Sequence, residues 1–250
     1  MRFAAAEGNR LPLVFVPGLG LSGRTLCPTA ELLPHDLPVF LVDLPGCGDS
    51  ERPARRADVR THASVLVAWL NEIGWQRAAW IGHSFGCQVT AELAVRHPDA
   101  VERLVLISPT VDRRARSMFM QLARLLCDAA REPLPLLPVL AREYVKTGAG
   151  ALLDTGRSAL HDEIETKLPA IDAPTLVVRG ERDPLVPARW ARELVRLLPS
   201  GRLVVIPRAA HAVAYAAPRE LADVIANFVA ASGLRRDRAG ANRSTPTERS

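Results

Sequence analysis

The sequence lacks the features that mark membrane, secreted and nucleic-acid-binding proteins. None of its apolar runs approaches the roughly 20 residues that a membrane-spanning helix needs, so we expect no membrane association. The N-terminal segment has no apolar core of the kind found in secretory signals, which predicts a cytoplasmic protein. Aromatic residues make up 5% of the chain and the basic residues form no stripe, so the net charge of +5 does not indicate a nucleic-acid partner.

The chain is also poor in cysteine, with four residues in all. They form no C-x-x-C pair, and no histidine lies at the spacing of a zinc ligand. We therefore expect reduced thiols and no metal site. The four cysteines are Cys27, Cys47, Cys87 and Cys127.

The 48% of hydrophobic residues is enough for a full globular core, and much of it is gathered in six short runs. These runs are continuously apolar and rich in Val, Ile and Leu, which is typical of strands covered on both faces of a parallel sheet. Segments with helical spacing lie between them, at 59–70, 85–96, 188–198 and 218–231. Alternation of strands and helices predicts an α/β fold with a doubly wound, mostly parallel sheet. The predicted strands are 11–16, 38–43, 77–82, 103–108, 174–180 and 202–207.

One long interval interrupts this alternation. Between Pro109 and Ala173 no strand is predicted, and the apolar spacing instead indicates short amphipathic helices interrupted by Pro133, Pro135 and Pro138. We predict a helical lid at 111–172, inserted into a core formed by 1–110 and 173–232. The remaining segment, 233–250, is polar and charged, which predicts a disordered tail.

A G-x-S-x-G motif covers residues 82–86. It lies where a predicted strand ends and a predicted helix begins, which is the context that a nucleophile elbow requires. Such a turn strains the serine backbone and brings neighbouring chain close to the glycines, so side chains at Gly82 and Gly86 would clash. The hydroxyl of Ser84 would then lie over a helix N-terminus, where developing negative charge is favoured. Ser84 is the predicted nucleophile.

With this motif the chain resembles the α/β-hydrolase family from about residue 11 to 231, and most of all compact bacterial esterases with a helical cap. VFVPGLG at 14–20 is similar to the family's oxyanion loop. VDLPGCGDS at 42–50 is similar to its D-x-P-G-x-G-x-S turn, and GERDPLVP at 180–187 to its acid turn. The chain departs from the family pattern in having Pro17 where a histidine often precedes the first glycine, in shortened N-terminal strands, and in lacking the HGGG of lipases.

A serine hydroxyl needs a base, and histidine is the natural one because its pKa lies near neutrality. His211 lies between the last predicted strand and the last predicted helix, at the edge of the sheet where ligands bind in open α/β folds. His83 is inside the elbow, and we interpret it as a packing or loop-positioning residue. The other histidines are interpreted as surface or structural residues: His35, His62, His97 and His161.

The acid that orients the base is predicted to be Asp183. It follows a strand on the same sheet edge, and the order Ser, Asp, His matches the order given for this fold. Asp112 and Glu181 remain rivals, and capping of the next helix is the alternative role for Asp183. Asp43 and Asp49 are expected to organise the backbone of their own turn.

The oxyanion hole is expected to use the backbone N–H of Phe85 and, as the resemblance implies, that of Leu19. The predicted lid offers apolar side chains for a substrate pocket, and we expect Met118, Phe119, Leu122 and Tyr144 to contribute. A pocket of this kind favours an uncharged acyl or alkyl group.

These residues predict a serine hydrolase that cleaves a small to medium carboxylic ester through an acyl-enzyme, with no metal or organic cofactor. The same machinery suits thioester, lactone or carbon–carbon hydrolysis, acyl transfer and perhydrolysis, and sequence does not separate them. A ligand-binding protein that keeps the pocket without catalysis is the alternative from another class. The expected partner is a small ester-like molecule, and nothing in the sequence indicates the oligomeric state.

Overall fold

The computed structural model describes residues 10–53 and 57–231. The predicted tail at 233–250 lies outside the described residues.

Six strands form one sheet in which every neighbouring pair is parallel. The strand order is β2-β1-β3-β4-β5-β6. All six predicted strands are present, and none of their ends differs from the prediction by more than two residues. The parallel sheet is therefore confirmed. Its strands are β1 (Leu13–Val16), β2 (Val39–Leu41), β3 (Ala78–His83), β4 (Val101–Ile107), β5 (Thr175–Gly180) and β6 (Gly201–Ile206).

Alternate side chains of the central strands enter two separate hydrophobic clusters. Val14 and Trp80 belong to one cluster, which also contains apolar residues of α2, α3 and α8. Phe15 and Ile81 belong to the other, which α10 covers. Both faces of the sheet are thus buried, which explains why its strands are continuously apolar. The helices are α1 (Cys27–Ala30), α2 (Val59–Glu72), α3 (Phe85–Arg96), α4 (Met118–Ala129), α5 (Leu136–Thr147), α6 (Ala149–His161), α7 (Ile164–Lys167), α8 (Ala188–Leu197), α9 (Val213–Ala216) and α10 (Pro218–Ala230).

A helical insertion, made of α4 to α7, separates β4 from β5 in the sequence. Pro133 and Pro135 lie between α4 and α5, as the sequence predicts, but Pro138 lies inside α5. It is tolerated there because it occupies the first turn, where a backbone N–H has no partner within the helix. None of the helices in the part of the chain that the structure describes is long and apolar enough to cross a bilayer.

Candidate active site

Ser84 lies in a sharp turn between β3 and α3, with φ of 53° and ψ of −116°. This left-handed conformation costs a non-glycine residue about 1–3 kcal/mol and is retained only where the surroundings impose it. A Cβ on Gly82 would lie 2.5 Å from the carbonyl oxygen of Gly86, and one on Gly86 would lie 2.7 Å from that of Pro17. The predicted need for glycine at both positions is confirmed.

The structure brings the three predicted catalytic side chains together at the carboxyl edge of the sheet. Ser84 follows β3, Asp183 follows β5 and His211 follows β6. The hydroxyl oxygen of Ser84 lies 3.0 Å from Nε2 of His211. On the other side of the ring, Nδ1 of His211 lies 2.9 Å from Oδ2 of Asp183. With a proton on Nδ1 donated to Asp183, Nε2 is left to accept the proton of Ser84.

Asp183 is held firmly for this contact. Its side chain is fully buried, and its Oδ1 accepts hydrogen bonds from the backbone N–H groups of Leu185 at 2.8 Å and Val186 at 3.0 Å. Burial alone would raise the pKa of Asp183, but His211 and the backbone donors lower it below its ordinary value. The carboxylate is therefore charged and fixed in position.

The imidazole of His211 is buried among carboxyl groups. Burial lowers the pKa of His211, whereas Asp183, Asp128 and Glu132 raise it, and the net result is a pKa of about 9. A positive charge on this ring, which forms whenever it takes a proton from a nucleophile, is thus well stabilised.

The two rival acids have other partners. Asp112 pairs with Arg124 at 3.1 Å and with Arg189, and Glu181 accepts a 2.9 Å hydrogen bond from the backbone N–H of Arg208. Among the described residues, Asp183 is the carboxylate that contacts the His211 ring. Asp112 and Glu181 are therefore not supported as the orienting acid.

His83 contacts the backbone of His211 rather than the side chain of Ser84. Its Nε2 lies 3.1 Å from the carbonyl oxygen of His211, to which it donates. Burial lowers the pKa of His83 to about 4, so the ring is neutral. This agrees with its interpretation as a loop-positioning residue.

The two predicted oxyanion donors belong to segments that adjoin Ser84. Phe85 is the first residue of α3, so its N–H lies in the turn where the helix supplies no acceptor. The segment 17–22 passes directly over Ser84, since a Cβ on Gly18 would lie 3.4 Å from the Cβ of Ser84. Leu19 follows Gly18 in this segment. The place of both residues fits the predicted role, which stays a prediction.

The D-x-P-G-x-G-x-S turn is organised by one carboxylate. Asp43 accepts hydrogen bonds from the backbone N–H groups of Gly23 and Asp49, both at 2.7 Å. Its backbone carbonyl accepts a hydrogen bond from the hydroxyl of Ser50 at 2.9 Å. The predicted structural role of Asp43 is confirmed.

The four predicted substrate-binding residues divide into two groups. Met118 is 41% exposed and lies near Leu19, since a Cβ on Gly156 would lie 3.4 Å from Met118 and 3.9 Å from Leu19. Tyr144 lies near the segment 17–22, since a Cβ on Gly20 would lie 3.4 Å from its ring. Phe119 is 79% exposed and Leu122 54% exposed, so solvent reaches most of both side chains. Their role in binding stays a prediction.

Sequence reasoning did not single out several polar groups of this site. Oδ1 of Asp128 accepts a 3.1 Å hydrogen bond from the backbone N–H of His211, and Oε1 of Glu132 accepts one of 2.6 Å from Ala212. The hydroxyl of Thr110 lies 3.5 Å from that of Ser84. The available signal was the spacing of Asp128 and Glu132, which places two carboxyl groups on one side of a helix end.

No group of three or more His, Cys, Asp or Glu residues is placed to hold a metal ion in residues 10–53 and 57–231.

The sequence model of the "Alpha/beta hydrolase family" matches residues 13–224. The chain belongs to the α/β-hydrolase family. It is 27% identical over 236 residues to the pimeloyl-[acyl-carrier protein] methyl ester esterase of Vibrio atlanticus, covering 82% of this chain and 89% of that protein. It is also 27% identical over 246 residues to the putative carbamate hydrolase RutD of a Caulobacter species, covering 88% and 91%.

A solved structure shares the fold of this chain. A thermophilic esterase from Thermogutta terrifontis superposes with a TM-score of 0.77 at 21% sequence identity, over 89% of this chain and 90% of that one. The resemblance to the α/β-hydrolase family stated from the sequence motifs is confirmed, and with it the assignment of the chain as a hydrolase.

Proposed function

We propose that this α/β hydrolase is a serine esterase that cleaves a small to medium, largely apolar carboxylic ester through an acyl-enzyme. The observation that carries the proposal is the continuous relay from Ser84 through His211 to Asp183, with contacts of 3.0 and 2.9 Å. The methyl ester esterases among its relatives support an ester as the substrate class.

In the proposed reaction, Oγ of Ser84 attacks the ester carbonyl carbon while its proton passes to Nε2 of His211. The carbonyl oxygen becomes an oxyanion, which accepts hydrogen bonds from the N–H groups of Phe85 and Leu19. Collapse of this intermediate expels the alcohol, which takes the proton from His211 and leaves the acyl group on Ser84. Water then loses a proton to His211 and attacks the acyl carbon. Collapse of this second intermediate breaks the bond to Oγ of Ser84, which takes the proton back from His211 as the acid is released.

The helical insertion, assigned here to residues 111–172, would serve as the lid over this site. Met118 and Tyr144 support this role because they lie against the segment that carries Leu19. Apolar side chains at this position would hold the acyl or alkyl part of a substrate and exclude water from the reacting carbonyl.

Carbamate hydrolysis is the second candidate, since a putative carbamate hydrolase is as similar to this chain as the methyl ester esterase. The same relay serves both reactions. Comparison of kcat/KM for matched esters and carbamates decides between them, and thioesters and lactones complete the panel.

The test of the proposed mechanism is the Ser84→Ala variant, assayed on short acyl esters and treated with a fluorophosphonate. Loss of both turnover and labelling is expected. Ser200→Ala is the matched control, because Ser200 is exposed at the amino end of β6, on the opposite edge of the sheet. Full esterase activity in Ser84→Ala would refute the proposal.

A further inference from the structure

The loop that carries His211 is held by the helical insertion. Asp128 lies in the last turn of α4, and Glu132 follows just after that helix. Asp128 accepts the backbone N–H of His211 at 3.1 Å, and Glu132 accepts the next N–H, of Ala212, at 2.6 Å. On the opposite side of the same peptide, His83 donates to the carbonyl of His211 at 3.1 Å. The backbone of the base is therefore fixed from both directions.

The two carboxyl groups are costly to bury, which makes their placement informative. Asp128 is 5% exposed and Glu132 is 7% exposed, and carboxyl groups are seldom buried to this degree without a compensating partner. Burial and the charge of Asp128 raise the pKa of Glu132 to about 7. At neutral pH a part of the Glu132 population is therefore protonated, while its Oε1 still accepts the N–H of Ala212.

The same insertion also holds the segment 17–22, which carries Leu19. Oε2 of Glu143 accepts a 2.9 Å hydrogen bond from the backbone N–H of Ser22. The hydroxyl of Thr147 donates a 2.8 Å hydrogen bond to the carbonyl oxygen of Gly20. Both side chains belong to α5 and both are buried. The N–H and C=O groups on either side of Leu21 are therefore fixed by one helix.

We propose that four side chains of the helical insertion are positioning residues. Asp128 and Glu132, the base arm, set the place of the loop that carries His211. Glu143 and Thr147, the oxyanion arm, set the place of the segment 17–22, which we call the oxyanion segment. The inference rests on the proposed esterase function and adds to it a second role for the insertion besides covering the substrate. None of the four side chains contacts Ser84, so each acts through the backbone of another residue. Displacement of reacting groups by about 1 Å can cost 10²-fold in rate, which gives such supports a large effect.

The base arm is tested with Asp128→Ala, Glu132→Ala and the conservative Asp128→Asn and Glu132→Gln. The alanine variants should lower kcat about 10- to 100-fold with little change in KM. The amide variants keep an acceptor for the backbone N–H and should recover most of that loss.

A pH readout separates positioning of the base from a general structural role. Asp128→Asn removes one of the carboxyl groups that raise the pKa of His211, the others being Asp183 and Glu132. Tyr144 is the further titratable group that faces Asp128. The imidazole pKa, measured by NMR, should therefore fall in Asp128→Asn, and the pH midpoint of kcat/KM should fall with it.

The oxyanion arm is tested with Glu143→Ala, Glu143→Gln and Thr147→Val. Glu143→Ala and Thr147→Val should lower kcat and weaken binding of a boronic acid transition-state analogue, while the imidazole pKa stays at its wild-type value. Glu143→Gln keeps the acceptor for Ser22 and should restore binding of the analogue.

Glu163→Ala is the matched control, since Glu163 is an exposed carboxylate of the insertion that pairs with Arg116. It should leave kcat unchanged. If Ser84→Ala abolishes activity but the alanine variants of both arms keep wild-type kcat and analogue affinity, the positioning inference is wrong and the proposed function stands. If the alanine and amide variants lose activity equally, with an unchanged imidazole pKa in Asp128→Asn, the inference is also wrong.

Discussion

The backbone of Gly86 lies so close to the carbonyl oxygen of Pro17 that a Cβ on residue 86 would lie 2.7 Å from it. This contact packs the start of α3 against the segment that leads to Leu19. Gly86→Ala should therefore reduce the free energy of unfolding by about 1–3 kcal/mol and slow fluorophosphonate labelling of Ser84. Gly150→Ala is the control, since a Cβ there meets no atom within 4 Å. Alanine is also more favourable than glycine inside a helix by about 1 kcal/mol. Equal stability of the two variants would contradict the packing explanation.

We predict that Asp183 is needed for catalysis and that Asp112 is needed for stability. Asp183→Asn should lower kcat about 10⁴-fold with little loss of stability, because the amide favours the wrong tautomer of His211. Asp112→Asn should lower the free energy of unfolding by about 1–3 kcal/mol, because it weakens the pairs with Arg124 and Arg189, and should retain most of kcat. Chemical denaturation and steady-state kinetics on both variants check this. A larger loss of kcat in Asp112→Asn would reverse the assignment of the acid.

The rate should depend on pH through His211, which accepts a proton only in its neutral form. Because the net effect of its surroundings raises the pKa of His211 to about 9, kcat/KM should rise with pH through the alkaline range and reach half its maximum near pH 9. The measurement is kcat/KM on a neutral ester between pH 6 and 10. A plateau that begins below pH 6 would show that the carboxyl groups around the ring do not hold its proton.

The oxyanion segment is expected to be intolerant of a side chain at Gly20. This residue has φ of +71°, and a Cβ there would overlap with Leu152 of α6. Gly20→Ala should lower kcat at least 10-fold, since the N–H of Leu19 would move with the segment. Gly74→Ala is the matched control, because Gly74 has φ of +82° but no atom within 4 Å of a Cβ. It should cost about 1 kcal/mol of stability and leave kcat unchanged.

The lid residues offer a test of where the substrate lies. Met118 lies near Leu19, whereas Phe119 is 79% exposed. Met118→Ala should raise KM for a medium-chain ester several-fold and change KM for an acetyl ester little, because lost apolar contact scales with chain length. Phe119→Ala should have the smaller effect on both substrates. The reverse order would place the acyl group against the outer side of α4.

The sequence was most informative where a backbone constraint dictates residue type. Glycine is required at positions 82 and 86 because the backbone of neighbouring residues passes within van der Waals distance. The strands are uninterruptedly apolar because both faces of the sheet are buried. These constraints act over a few residues, so they can be predicted without knowing the rest of the fold.

Contacts that join distant segments could not be predicted in this way. The acceptors at Asp128 and Glu132 bind backbone N–H groups some 80 positions later, and any residue in that loop would offer the same groups. Likewise, helical spacing predicted an apolar stripe on α4 but not the direction in which it faces, so Phe119 and Leu122 were expected in the pocket and lie mainly in solvent. Asp112 remained a rival to Asp183 because the contact of Asp183 with His211 and the pair of Asp112 with Arg189 both join segments that are distant in the sequence.

The direct pairing of β4 with β5 has a consequence for folding kinetics. Residues 108–174 lie between these strands, so their pairing closes a loop whose entropic cost is on the order of 4 kcal/mol. Ser84 precedes that loop and both of its partners follow it, which makes the relay a contact of high sequence separation. In a refolding experiment, the circular dichroism signal of the helices should therefore recover before the reactivity of Ser84 with a fluorophosphonate. The delay between the two signals measures how long the central sheet takes to close.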